Sequence, residues 1–289
     1  MNAFTIKDIE NLSGVKAHTI RIWEQRYNFI KPHRTGTNIR YYSNDELKTI
    51  LNIALLNKFG FKISRIDKMN SEEIYQKLFT LSHQQAQQDR LINELITSMV
   101  DFNLETFEQL LNNEIASKGI ERVINEIIFP FLEKIGVLWV TNNINPAQEH
   151  LVSNIIRQKL LVGIDSINIV PIENKTAMMF LPEGQYHELG LLYVYYIFKN
   201  RGIKVFYLGA DVPLPDLGFI VQAKEPDFLY THLTALAHNF NIDKFFNNLH
   251  NQIPVVPVFI SGPVTHTYNK PLPANFCFKK SLQEVKDIA

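Results

Sequence analysis

Three groups of residues in this chain have the types and spacing to do chemistry. The first is Leu181-Pro182-Glu183-Gly184-Gln185-Tyr186-His187-Glu188-Leu189-Gly190, which follows the run Thr176-Ala177-Met178-Met179-Phe180 and precedes apolar residues at helical spacing. That order sets His187 on the loop leaving the carboxyl end of a strand, where open α/β sheets hold ligands. An imidazole there can bind a metal through one nitrogen while a neighbour fixes the other, and Gln185 is expected to accept that second bond. The second group is Trp139, Glu149 and His150, with nine residues between the tryptophan and the glutamate. Asn145 can cap the helix carrying the Glu-His pair, with Pro146 at its first position and Gln148 completing a capping-box pattern. The third group is rich in donors: Lys16, His18, Thr19 and Arg21 on one helical segment, then Arg34, Arg40 and Tyr41. Such side chains suit phosphate oxygens and base edges.

The charge distribution agrees with the third reading. The 289 residues have a formal net charge of zero, yet residues 1–70 hold 12 Lys and Arg against 6 Asp and Glu, and the remainder 17 against 23. A basic head on an acidic body suits a polyanionic partner for the head. With 46% hydrophobic and 20% charged residues, the composition is that of a globular chain with room for two or three cores. There is no apolar run of about 18 residues and no basic-then-apolar leader, which points to the cytoplasm. The single cysteine, Cys277, excludes an internal disulfide framework and a Cys-based zinc site, and Phe276-Cys277-Phe278 reads as buried strand. No Gly-rich phosphate loop, nucleophile elbow or paired-carboxylate motif marks an independent catalyst.

Positioning these groups takes three folded parts. Residues 1–70 read as a helix capped by Thr5, a turn at Ser13-Gly14-Val15, a second helix from Lys16 to Tyr27, a hairpin wing around Gly36 and a third helix capped by Ser43. That is a winged helix-turn-helix whose second helix enters a major groove, with Trp23 in its core. Residues 71–83 read as linker and 84–170 as a four-helix bundle, from pairs such as Leu91/Leu95 and Val123/Ile127. In 171–289, strand-like runs at Thr176–Leu181, Lys204–Gly209, Phe228–Leu233, Val255–Ser261 and Phe276–Lys279 alternate with helical patterns. Alternation of this kind makes a five-stranded parallel sheet, a flavodoxin-like Rossmann domain. The fold class is multidomain, α followed by α/β.

Residues 1–70 resemble the DNA-binding domain of MerR-type regulators through Ser13-Gly14-Val15, Thr19-Ile20-Arg21-Ile22-Trp23-Glu24, Arg26-Tyr27, Arg34-Thr35 and Arg40-Tyr41-Tyr42. The run Gln185-x-His187-x-x-Gly190 resembles the Asp-x-His-x-x-Gly signature of cobalamin-binding domains, whose histidine is the lower axial ligand of cobalt. Trp139-x9-Glu149-His150 resembles a motif of cobalamin-dependent, MerR-headed regulators known as CarH-like photoreceptors. The resemblance implies a regulator, a repressor in design, that binds a double-stranded DNA operator as a homo-oligomer, dimer or tetramer. It implies adenosylcobalamin clamped between bundle and sheet, with His187 below the cobalt and Trp139 walling the adenosyl pocket. When light breaks the cobalt–carbon bond, His150 of the Glu149-His150 pair is the implied replacement ligand. Thr231, Leu233 and Gly262 stand where the family's Ser-x-Leu and Gly-Gly leave room for the nucleotide tail.

The signature departs in three places. Gln185 brings no charge where the family has a carboxylate, Thr231 adds a methyl group, and Pro263 adds a ring and removes an N–H. Two other readings stay open. One is a MerR-type regulator whose sensor domain has lost cobalamin and answers another ligand or a protein. The other is the corrinoid component of a methyltransferase, against which the head argues. His232, His238 and His266 receive no role.

Overall fold

The computed structural model describes residues 3–140, 145–171, 175–234, 236–237 and 240–288, with the side chains of 137–140 left aside. The chain divides into two compact units, Met1–Ile155 and Ile156–Ala289. Among the described residues no helix is long and apolar enough to cross a membrane.

The first unit begins with short helices whose starts are written locally. Helix α1 (Ile6–Ser13) opens at Thr5, whose hydroxyl accepts from the Asp8 N–H while the Asp8 carboxylate accepts from the Thr5 N–H at 2.7 Å. It ends on Gly14, whose φ of 73° is left-handed and turns the chain into α2 (Ala17–Arg26). The wing is a two-stranded antiparallel hairpin, β1 (His33–Arg34) and β2 (Arg40–Tyr41). Helix α3 (Asn44–Lys58) repeats the reciprocal cap with Ser43 and Glu46. After the single turn α4 (Ile63–Ile66), the stretch expected as linker contains a helix, α5 (Ser71–Phe79). Its polar surface hid a third reciprocal cap, Asn70 with Glu73, and Leu78 is its only buried side chain. Phe4, Ile9, Leu12, Ile20, Trp23, Leu47 and Leu51 form the core of the head.

Four helical rods follow. They are α6 (Gln84–Val100), α7 (Leu104–Lys118), a continuous third rod and α10 (Pro146–Asp165). The third rod runs through α8 (Ile120–Val123), a π-helical segment (Ile124–Ile128) and α9 (Phe129–Val140). Phe107 of α7 and Phe131 of α9 meet at 5.5 Å between ring centroids, inside a core that includes Leu95, Ile96 and Ile127. The start of α10 has the expected cap, since Asn145 Oδ1 accepts from the Ala147 N–H at 2.9 Å. Gln148 Oε1 returns a bond to the Asn145 N–H at 3.3 Å.

The second unit is a five-stranded sheet of order β4-β3-β5-β6-β7, parallel throughout. Its strands are β3 (Thr176–Pro182), β4 (Lys204–Val212), β5 (Phe228–His232), β6 (Val258–Ser261) and β7 (Phe276–Lys279). Helices α11 (Leu189–Asn200), α12 (Leu214–Lys224), α13 (Ile242–Gln252), α14 (Val264–Thr267) and α15 (Leu282–Lys286) connect or follow them. Six of the seven residues of β3 are buried, as a central strand covered on both faces requires. Met178, Phe180, Leu229 and Ile260 pack on Leu217 of α12 and on Phe246 and Leu249 of α13. Two expectations fail locally. Strand β6 begins at Val258 rather than Val255, because Pro257 lacks the N–H a ladder needs, and Val255 is 86% exposed. Cys277 is exposed, because β7 lies at the sheet edge and its middle residue faces away from the core.

Candidate functional site

Helix α2 presents one face to solvent. Ile20 and Trp23 are buried, while His18, Arg21, Ile22 and Gln25 are exposed three or four residues apart. Thr19 is half-buried, with Oγ1 3.3 Å from His18 Nε2. Gln25, an amide able to read a base edge, was not among the expected residues; its seven-residue spacing from His18 was the signal. Lys16 is exposed and its Nζ lies 3.2 Å from Glu10 Oε1, a bond that holds the Glu10 carboxyl below its ordinary range. Arg34 is exposed on the wing, where it bonds Asn38 O at 3.2 Å and Asn38 Oδ1 at 2.8 Å.

Arg40 is differently employed. Its Nε lies 3.2 Å from Oε2 of Glu24, a side chain only 7% exposed, but the N–H does not point at that oxygen. The contact is therefore an ion pair without a hydrogen bond. Glu24 Oε1 accepts from the Tyr42 hydroxyl, and burial followed by the Glu24 charge pushes that phenol upward. Arg40 thus balances a buried carboxylate that fastens wing to recognition helix. Tyr41 is half-buried and stacks on His33 at 5.3 Å.

In the bundle, Glu149 is half-buried and His150 exposed on the first turns of α10, with His150 Nδ1 3.2 Å from Glu149 Oε2. Trp139 lies near the end of α9, but its side chain is outside the described residues.

At the carboxyl end of the sheet, His187 is exposed on the loop between β3 and α11. The strand order reverses between β3 and β5, the position where open sheets bind ligands. A cavity of about 610 Å³ opens there, lined by Gly184, Gln185, Val212, Ala237 and the first turns of α13. Asp211 shapes the His187 loop. It sits at φ 60°, unusual for a residue with a side chain, its Oδ1 accepts from the Gly184 N–H at 2.7 Å and its N–H donates to Gln185 O at 3.1 Å. The Tyr186 phenol is also raised by a bond to Asp211. Glu188 is pinned between Arg157 Nε at 2.5 Å and the Tyr207 hydroxyl at 3.0 Å.

Gln185 does not serve His187 as expected. Its Oε1 accepts from the Ala237 N–H at 3.3 Å, and its buried Nε2 has no partner. An Nε2 donor cannot accept the N–H of a metal-bound imidazole. Thr231, on β5, is fully buried with Oγ1 unpartnered. Leu233 is buried beside Gly262, whose φ is 99° and where an added Cβ would sit 2.4 Å from Leu233 O. Pro263 precedes α14, at a helix start where an N–H has no intrahelical acceptor to lose.

His232 is the residue sequence reasoning set aside. Its ring covers Gly190, where an added Cβ would meet His232 Cδ2 at 2.2 Å. Its Nδ1 lies 2.7 Å from Ser261 Oγ, which in turn lies 2.5 Å from the Tyr230 hydroxyl, and burial lowers the imidazole pKa to about 4. His266 is exposed on α14, and His238 lies outside the described residues.

Comparison with known proteins covers all three parts. Residues 4–73 match the MerR HTH family of regulatory proteins, and residues 91–162 match a B12 binding domain. The chain is 30% identical over 225 residues to the HTH-type transcriptional repressor CarA of Myxococcus xanthus, covering 77% of this chain and 73% of that protein. It is 24% identical over 274 residues to the repressor CarH of the same organism, covering 92% and 90%. Among solved structures, the monomethylamine corrinoid protein of Methanosarcina barkeri superposes with a TM-score of 0.56 at 16% identity. That match covers 69% of this chain and 96% of the other, a likeness of fold.

Proposed function

The chain belongs to the MerR-type regulators with a B12-binding domain, the family of the CarA and CarH repressors, and on that premise we propose that adenosylcobalamin bound at the His187 loop controls its hold on DNA. It is a DNA-binding transcription regulator; repression, homo-oligomeric binding and the adenosyl form are our reading. The observation that carries this reading is an exposed imidazole on a loop fixed by Asp211, at the point where the strand order reverses. One imidazole holds a free metal ion poorly, so it would suit a metal already held by a cofactor of its own.

The residues present fit such a group. His187 is exposed, has no hydrogen bond to another described residue and would supply a nitrogen to the cobalt. The buried, unpartnered Thr231 Oγ1 would gain a partner. Cobalamin, when bound, would supply a cobalt able to take a nitrogen ligand and, in its adenosyl form, a light-sensitive cobalt–carbon bond. The chain's own residues do the positioning: Asp211 holds the loop, and Arg157 and Tyr207 keep the Glu188 carboxylate away from its histidine neighbour. In the head, His18, Arg21 and Gln25 face the groove, Lys16 and Arg34 meet phosphates, and Arg40 and Tyr41 support the wing.

A second reading has its own observation. The His232 ring fills the notch above Gly190, as it would in a regulator that no longer takes cobalamin. An absorption spectrum in the dark, after incubation with adenosylcobalamin and desalting, separates the two. Our reading expects retained corrinoid with nitrogen ligation that His187→Ala removes. A protein that emerges without corrinoid leaves the second reading standing.

A further inference from the structure

The turn of the helix-turn-helix motif borders a second cavity, of about 450 Å³, within the first unit. Gly14 lies on one side, Leu51 and Lys58 of α3 form a wall, Asp89 and Asn93 come from α6, and Lys134 comes from α9. Lys58 Nζ lies 2.5 Å from Asp89 Oδ2, and Asp89 Oδ1 accepts from Gln85 at 3.0 Å, so both oxygens of the carboxylate are engaged. Lys134 has no hydrogen bond or ion pair to another described residue. Burial pulls its ammonium below the ordinary lysine range, with Asp89 opposing and Lys58 adding to the shift. Asn93 is 7% exposed; its amide makes a bond of 3.4 Å to Leu51 O, and its Oδ1 has no partner.

A half-buried ammonium with no ion pair and a buried carbonyl without a donor are both costly. Two cations against one carboxylate leave a single positive charge in the lining. The volume and the leucine wall suit a small organic molecule better than a few waters. We propose that this cavity is a second ligand site, for a small carboxylate with an apolar body and a hydroxyl or amino group beside the carboxylate. The carboxylate pairs with Lys134, the hydroxyl or amino group donates to Asn93 Oδ1, and the body lies against Leu51. Because Gly14 lines the cavity, ends α1 and turns the chain into α2, occupancy bears directly on how α2 is set for DNA.

The test uses the full chain with three probes: 2-hydroxyisocaproate, leucine and isocaproate, the last lacking the donor. Thermal unfolding and calorimetric titration are measured for the natural chain, Lys134→Met and Asn93→Leu, with affinity for duplex DNA alongside. At least one donor-bearing probe should raise Tm and outbind isocaproate. It should also change DNA affinity by about fivefold or more, the lower end of ordinary coupling between sites. Lys134→Met should lose the response, and Asn93→Leu should lose the preference over isocaproate. If Lys134→Met does not fold, Lys134→Gln, which removes the charge and keeps a polar side chain, replaces it. No response to either donor-bearing probe, or an equal response in the Lys134 variant, overturns the proposal.

Discussion

On α2, His18, Arg21 and Gln25 stand in water, whereas at the sheet end Thr231 Oγ1 and Gln185 Nε2 are shut away without partners. The two regions bind at opposite costs. An exposed donor reaching a phosphate gives up little solvation, so affinity is the sum of many weak, salt-sensitive contacts. A buried donor or acceptor has lost its solvation during folding, so the one ligand atom that completes it gains several times more. The head should therefore degrade by increments under mutation, and the sheet end in steps.

The largest step should come from Gly262→Ala. The methyl group must fit a left-handed backbone and a 2.4 Å approach to Leu233 O, so the second unit should lose about 3–5 kcal/mol in urea unfolding. Affinity of the cobalamin-free chain for DNA should be retained. Acid gives the next. The folded His232 pKa, about 4, lies below the unfolded value near 6.5, so stability is complete above about pH 6.5 and lost as pH falls toward 4. The loss should approach about 3 kcal/mol, and His232→Phe should flatten that limb of the pH–stability curve. In the head, Arg21→Ala should cost on the order of 1–3 kcal/mol of operator affinity and relax sequence preference, as measured by binding to a randomised duplex pool. Thr231→Val removes an unpartnered hydroxyl, so the apo chain should change by less than about 1 kcal/mol while corrinoid retention falls. Smallest is Lys16→Ala. Its pair with Glu10 is on the surface, so unfolding should barely move, but the salt slope of DNA binding should drop by about one.

The same contrast explains what could be read from sequence. Strands β3 and β7 carry their own apolar runs and appear where periodicity puts them, within one residue at each end. The exposed face of α2 follows from helical spacing, and Gln25 lies on it seven residues after His18. Long-range partners were not legible. Nothing near position 185 announces that the Gln185 carboxamide meets Ala237, 52 residues on. Nor does Asp211, 27 residues beyond Gly184, declare itself as the acid that shapes the His187 loop. The pairing of Arg40 with Glu24 was likewise hidden, because it exists only once the wing has folded. Helix α5 passed for linker because its polar surface outweighs its one buried leucine.

The reciprocal caps at Thr5/Asp8, Ser43/Glu46 and Asn70/Glu73 have a consequence in time. Each defines a helix start with residues three apart, so the first eighty residues acquire their shape from contacts that close quickly. The sheet is all crossovers, and β3 must wait for β5, some fifty residues later, before it is paired on both sides. By that order the head should fold while the His187 loop is still being made. For that interval the nascent protein would be a reader of DNA with no sensor attached.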